Sequence, residues 1–395
     1  MGQTLGSIYN NVSFALNLHA EQMARLQEQA ATGARINRPS DDPSTAYLVL
    51  GLSSQQRSLG NYMDNVSDLI GAFEISSTII GNMVSGLAEA KTSLTQIING
   101  IYGEDGRERI AEGINSILEQ MALLANTEHN NQYLFGGSNT TSAPYLIERS
   151  GGEITSVTYQ GSLENRTTEV APGVNSTAFT IGDSIFSSHD RSEPLFTGDT
   201  GAQAGTGTST VTGDVWLTVI HDGSNYKLSI DDGASYVTVP AGGDANQAVT
   251  DSRTGKVLYV DSTAIGATGT ELVRVTGTYN IFDTLISIRD MLRNEKGFSK
   301  GQLQEMLGES LNSLDEVSNI LVQAEVSVGY KVGFLNDLTE SMQNVKYNAE
   351  DESTRLQQAD IAQVAIDLSR REVLYQMSLS ITAKLMSLSL LNFLT

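Results

Sequence analysis

The sequence predicts a mainly α protein with an inserted all-β domain, in which both chain ends build a long antiparallel helical bundle rod. Three observations carry this. Apolar residues recur at alternating four- and three-residue spacing through both ends, which is the seam of a coiled-coil-like helix. Residues 133–277 change to short β-branched or aromatic runs separated by turn dipeptides. Helical spacing then resumes at 278, as though the intervening segment had been inserted into a continuous bundle.

Taken in order, the first seam is Leu5, Tyr9, Val12, Leu16, His19, Met23, Leu26 and Ala30, and Gly33 closes it. In the corner RINRPSDDP, Pro39 rigidifies the link. Asp42 before Pro43 is the expected N-cap followed by proline at the first helical position. Asp41 adds a negative charge that suits a helix N-terminus. The two carboxylates therefore read as a structural corner, since no third metal ligand lies nearby in sequence. A second seam runs from Leu48 to Ile101 and is interrupted by Gln55 and Ser76. At about 1.5 Å per residue it implies a rod of roughly 80 Å. A third run (Ile110, Ile114, Ile117, Met121, Leu124) follows the polar corner YGEDGR and returns antiparallel. Leu314 to Val345 repeats the rule with Lys331 as its skipped polar member. The last helix carries Ile361, Ala365, Leu368, Glu372, Tyr375, Leu379, Thr382, Met386, Ser389 and Phe393.

Between these ends, VWLTVI, YKLSI, SYVTV and KVLYV read as strands, the first three joined by Asp-Gly turns at 222 and 232. The tract TGDTGAQAGTGTST (197–210) reads as a flexible linker or loop, and the run Glu350, Asp351, Glu352 as solvated linker. The expected domains are an N-terminal coiled-coil assembly segment (1–40), a first helical part (41–188, with a β-hairpin region at 133–188) and an outer β domain (189–277). A returning helical part (278–350) and a C-terminal coiled-coil assembly segment (351–395) complete the chain.

Composition narrows the function. With 46 acidic against 24 basic side chains, the net charge of −22 repels phosphate backbones and anionic lipid, so neither nucleic acid nor membrane is an expected partner. Absence of cysteine removes thiolate chemistry and Cys-ligated metals. The N-terminus lacks the basic flank and apolar core of a secretory signal, and Gly6 stands where a myristoylation pattern wants Ser or Thr. Histidines at 19, 129, 189 and 221 have no metal-ligand spacing, and HAEQM is not HExxH. The glycine tract fails both phosphate-binding patterns, and no GxSxG occurs. The expectation is a structural protein and not an enzyme, with no catalytic residue, metal or cofactor.

Several stretches carry a resemblance. LQEQAATGARINRPSDDPSTA (Leu26–Ala46) resembles the N-terminal signature of the bacterial flagellin family. NNQYLFGGSNTTSAPY (130–145), YQG (159–161), IGDSIF (181–186), LQQADIAQVAIDLSRREVLYQMSL and the ending SLSLLNFL are similar to the hook-filament junction members of that family. The QAN segment and late proline usual in flagellin endings are missing. The resemblance covers about 1–188 and 278–395 and implies a flagellin-like fold whose termini pack as concentric helices. It also implies export through the flagellar type III apparatus without cleavage, and an extracellular place at the hook-filament junction. The implied partners are a hook-side junction protein, flagellin, further copies in a helical tier, and a cytoplasmic export chaperone. On this reading Leu5, Tyr9, Val12, Leu16, Leu368, Tyr375, Leu379, Met386 and Phe393 form the assembly interface, and Pro39, Asp41, Asp42 and Pro43 the structural corner. Alternatives are flagellin itself, an adhesin or glycan-binding protein stacking sugar on Trp216 and Tyr226, or an intracellular coiled-coil signalling protein.

Overall fold

In the computed structural model, residues 2–100 and 103–394 are described, and the side chains of 1–6, 8–9 and 385–395 lie outside that description. The chain order is α1 (Gly2–Thr32), α2 (Pro43–Asn99), α3 (Glu104–Ala125), β1 (Glu128–His129), β2 (Gln132–Tyr133), β3 (Tyr145–Ser150), β4 (Glu153–Tyr159), β5 (Thr167–Ala171), β6 (Val174–Thr177) and α4 (Gly182–Phe186). There follow β7 (Leu195–Thr197), β8 (Gln203–Ala204), β9 (Gly213–His221), β10 (Tyr226–Ser229), β11 (Val237–Thr238), β12 (Gln247–Thr250), β13 (Val257–Asp261) and β14 (Gly269–Val275). Helices α5 (Ile281–Arg293), α6 (Lys300–Gln357) and α7 (Ile361–Leu394) close the chain. It divides into two compact units, residues 1–64 with 338–395, and residues 65–337.

In the first unit α1 packs along α7. Gly33, at φ +69°, stops α1 where an L side chain would be strained, and its N–H reaches Gln29 O at 2.9 Å. Helix α6 continues through Glu350, Asp351 and Glu352 to Gln357, where a solvated linker was expected. Glutamate is a good helix former, and the break falls instead at Gln358–Asp360.

In the second unit the seam of α2 is buried at Val66, Leu69, Phe73, Ile80, Met83, Leu87, Ala90, Leu94 and Ile97. Ser76, the polar interruption, is buried as well, because its hydroxyl donates to Ala72 O at 2.8 Å. The α6 seam turns inward at Leu314, Val317, Leu321, Val328 and Leu335. Hairpin β3–β4 is fastened to the helices by two bidentate pairs, Arg149 on Glu119 (2.5 and 2.6 Å) and Arg293 on Glu153 (2.5 and 2.6 Å). At its foot the rings of Phe135, Tyr145, Tyr159, Phe186 and Phe282 form one cluster, with centroid separations from 5.0 to 6.1 Å.

The strand-rich segment holds a five-stranded antiparallel sheet in the order β11-β10-β9-β14-β7 and a three-stranded one in the order β12-β13-β8. Its core is Leu217, Val219, Leu228, Val249, Leu258, Val260, Val273 and Val275. The glycine tract expected to be a flexible linker is instead packed. Thr200, Ala202 and Ser209 are buried, and β8 pairs with β13. At Gly207 an added Cβ would fall 2.4 Å from the Tyr259 ring, and at Gly205 one would fall 3.0 Å from the Tyr259 carbonyl carbon. The glycines are there because a side chain would not fit.

Where β9 and β14 meet the helices of the same unit, a buried polar network forms. Asp214 accepts from Arg274 Nη2 (3.2 Å), Tyr279 OH (2.7 Å) and Ser287 Oγ (3.0 Å), and Arg274 also donates to Ser310 Oγ (3.1 Å). The side chains of Arg274 and Asp214 are 3% and 4% exposed. Removing one partner leaves the other charge buried, so Arg274→Met should cost about 3–5 kcal/mol. The urea midpoint should drop accordingly, and adding Asp214→Asn should recover part of the loss.

Candidate assembly surface

The terminal helices carry the surface. On α1, Val12, Leu16, His19, Met23 and Leu26 are half-buried, whereas Phe14 is 70% exposed. Leu5 and Tyr9 of the expected interface have side chains outside the described residues. His19 sits in this seam with Nδ1 lacking a hydrogen-bond partner. On α7 the face turned inward is Val364, Leu368, Arg371, Tyr375, Ser378 and Thr382. Leu368 and Tyr375 thus lie where the seam places them, but Leu379 is 45% exposed on its flank. Met386 and Phe393 lie outside the described side chains.

Sequence reasoning followed one seam and missed a second stripe. Ile366, Val373, Met377 and Ile381 are all more than half exposed and lie on the side of α7 opposite Val364, Leu368 and Tyr375. The signal was present as apolar residues at 366, 373, 377 and 381, a helical spacing of seven, four and four in its own right. A helix apolar on opposite faces is one that is covered on both. Between α1 and α7 runs a polar groove of about 470 Å³, lined by Gln22, Arg25, Leu26, Gln29, Asp367, Arg370, Arg371 and Leu374.

The corner fixes how these helices leave their neighbours. Asp42 accepts the Thr45 N–H (3.1 Å) and hydroxyl (2.7 Å) and the Ser44 hydroxyl (2.8 Å), capping α2 just before Pro43. Asp41 accepts from Arg38 N (2.9 Å), Asn37 N (3.1 Å) and Arg25 Nη2 (2.7 Å). Pro39 lies in the loop these bonds close. The opposite corner joins in the same unit: Arg35 N donates to Gln357 O at 2.6 Å and Ala359 N to Gly33 O at 2.9 Å, flanking an antiparallel bridge between Ala34 and Gln358.

Residues weighed for other chemistry are engaged in packing. Trp216 stacks on Phe298 at 5.2 Å with Lys296 over the ring, and Tyr226 meets His221 edge-on at 4.8 Å. Asp222 accepts from Ser224 N and Asn225 N in a hairpin turn, and Asp232–Gly233 (φ +53° and +88°) forms another. Among the described residues no group of three acidic or histidine side chains could hold a metal ion, and no helix is long and apolar enough to cross a membrane.

Both corner acids are held below the ordinary carboxylate range, Asp42 chiefly by the Thr45 hydroxyl and N–H, and Asp41 chiefly by the Arg38 N–H. A depressed folded-state value means that their contribution is complete above the unfolded pKa of about 3.9 and is lost only as pH falls through the lower folded values. Carboxyl carbon shifts in NMR should therefore report both groups ionised at pH values where exposed aspartates are already half protonated. Titration of Asp42 alongside exposed aspartates would contradict this geometry.

Residues 7–140 match the family model for the bacterial flagellin N-terminal helical region. The chain is 28% identical over 179 residues to flagellar hook-associated protein 3 of Salmonella typhimurium, covering 45% of this chain and 54% of that one. Flagellin A of Helicobacter felis is 27% identical over 131 residues, covering 31% and 26%. The chain thus spans about half the length of the hook-associated relatives it matches. In fold it is similar to flagellar hook-associated protein 3 of Legionella pneumophila (TM-score 0.53, 18% identity, 77% of this chain and 98% of that one). It is likewise similar to FlgL of Xanthomonas campestris (TM-score 0.51, 18% identity, 77% and 99%).

Proposed function

We propose that this chain, whose residues 7–140 match the flagellin N-terminal helical region, is a structural adaptor of the bacterial flagellum, joining the hook-side junction zone to the filament. The observation that carries the reading is α7, which turns Val364, Leu368 and Tyr375 inward and carries a second, exposed apolar stripe along Ile366, Val373, Met377 and Ile381. A neighbouring subunit that covers the outer stripe, and is covered in turn by the next, makes a head-to-tail contact that does not close and so grows a helical tier. Leu5, Tyr9, Val12, Leu16, Leu368, Tyr375, Leu379, Met386 and Phe393 are assigned to this contact, with the outer stripe added to them. Pro39, Asp41, Asp42 and Pro43 set the angle of the corner. Its partners are a hook-side junction protein on one side and flagellin on the other. Before export through the type III apparatus, a cytoplasmic chaperone covers the C-terminal helix. The similarity to named hook-associated proteins supports the adaptor over flagellin, because it extends over more of the chain. Catalysis has no part in the mechanism.

The test uses Val373→Asp together with Leu379→Asp, two positions about half exposed in the chain itself. Burial of each apolar side chain by a neighbour is worth about 1.5–3 kcal/mol, and a buried carboxylate turns that gain into a penalty. The variant should keep its helical circular dichroism, appear outside the cell, and leave the hook uncapped, with flagellin shed as soluble subunits. Full-length filaments on cells exporting it would refute the terminal-helix mechanism. Immunolabelling of the unaltered protein should give one band at the hook end, whereas label along the whole filament would favour flagellin.

A further inference from the structure

The polar groove between α1 and α7 carries a charge imbalance that the apolar terminal-helix contact leaves unused. One wall is the α1 face with Gln22 and Arg25, the other the α7 face with Asp367, Arg370, Arg371 and Leu374, since residues three and four apart share a helix face. Three guanidinium groups meet a single carboxylate there. Arg25 is already held by Asp41 at 2.7 Å, and Asp367 accepts from Gln363 Nε2 at 3.2 Å on its own helix. Arg370, exposed, and Arg371, half-buried, have no ion pair and no side-chain hydrogen bond among the described residues. With 46 acidic against 24 basic side chains, the chain has carboxylates in excess, yet none of its own closes on these two.

The same unit holds the complementary feature. Glu350, Asp351 and Glu352 are the one place in the sequence where three acidic residues follow one another, and all three are exposed near the end of α6. Glu352 lies 3.8 Å from Arg355, with both side chains more than half exposed. Glu350 and Asp351 have no ion pair among the described residues. Consecutive helical residues point about 100° apart, so the run offers carboxylates over a broad sector of the helix surface.

We infer that the arginine groove of one copy receives the Glu350–Glu352 run of a second copy of the chain. The planar guanidinium fork matches a carboxylate, and a half-buried one without a counter-charge gains most from an incoming acid. Groove and run are different patches of the same unit, so the contact is heterologous: every copy offers both halves, and the pairing repeats without closing. The inference rests on the head-to-tail reading above and gives it a register. An apolar stripe tolerates sliding, whereas charges that must meet opposite charges fix where two surfaces stop. Exposed ion pairs are individually weak, so the groove selects the arrangement and apolar burial holds it.

Because the chain has no cysteine, the contact can be read by disulfide trapping in the full-length protein. Leu374→Cys places a thiol in the groove, and Asn348→Cys places one on α6, three and four residues before Asp351 and Glu352 and so on their face. On mild oxidation the chain carrying both should form a ladder of linked oligomers, several-fold more abundant than the dimers of either single variant, since bridging needs Cα atoms within about 7 Å. Arg370→Glu with Arg371→Glu should abolish the ladder, and adding Glu350→Arg with Asp351→Arg should restore it, which separates a lost contact from a lost fold. Single-variant dimers as abundant as the ladder, an intrachain disulfide without oligomers, no oligomers at any concentration, or no rescue by the charge exchange would each overturn the docking. Its failure is distinguishable from that of the adaptor reading: a missing ladder with label confined to the hook end refutes the docking alone, and a ladder with label along the whole filament refutes the adaptor alone.

Discussion

The terminal helices depend on a short backbone bridge between two corners. Arg35 N on Gln357 O, Ala359 N on Gly33 O and the pairing of Ala34 with Gln358 bind the α1–α2 turn to the α6–α7 turn. These bonds involve no particular side chain, yet they fix the register of α1 against α7, because each helix starts or ends within a few residues of the bridge. The polar residues of RINRPSDDP serve it. Arg35 donates to Leu356 O across the bridge and to Asp42 within its own corner, while Asp41 gathers Arg25 and two backbone N–H groups. Two adjacent carboxylates that look like chemistry are therefore geometry, each occupied by donors from the corner and the helices that meet at it.

Much of this was legible in the sequence where one periodicity acted alone. The α2 seam is buried position by position from Val66 to Ile97, and even Ser76 fits, since a serine can return its hydroxyl to the carbonyl four residues back. Legibility failed where two patterns overlapped or where burial ran against residue type. In α7 the seam was read through Leu379, but the inward face is shifted toward Val364, Arg371 and Ser378, because a second apolar stripe biased the phase. Strand β14 (GTELVRV) was not recognised since Glu271 and Arg274 look solvated, yet both are buried, each with a partner supplied by distant chain. The tract at 197–210 has a linker's composition, and only the closeness of Tyr259 shows why glycine is needed there.

The segments that carried the resemblance outside the terminal helices converge on packing. Phe135 from the YLFGG stretch, Tyr159 from YQG, Phe186 from IGDSIF and Tyr145 meet Phe282, which follows the β insertion, in a single aromatic cluster. Close approaches of Gly137 to Ser162 O and of Gly161 to the Tyr159 ring leave no room for side chains at those glycines. Motifs of this kind specify how a hairpin seats on helices. Such packing motifs fix a fold without implying a ligand.

Charge and apolar surface set opposite requirements on such a chain. A helix with Ile366, Val373, Met377 and Ile381 exposed invites indiscriminate association, whereas a net charge of −22 keeps like molecules apart. The two are reconciled if association occurs only where geometry brings an apolar stripe onto its complement with the charges directed outward or paired. On α7 the exposed Arg370 sits beside Asp367 at the groove shared with α1, so the helix presents a basic group to a largely acidic population of neighbours. Repulsion then sets the threshold for assembly and apolar burial its strength. Raising ionic strength weakens the first and leaves the second nearly intact.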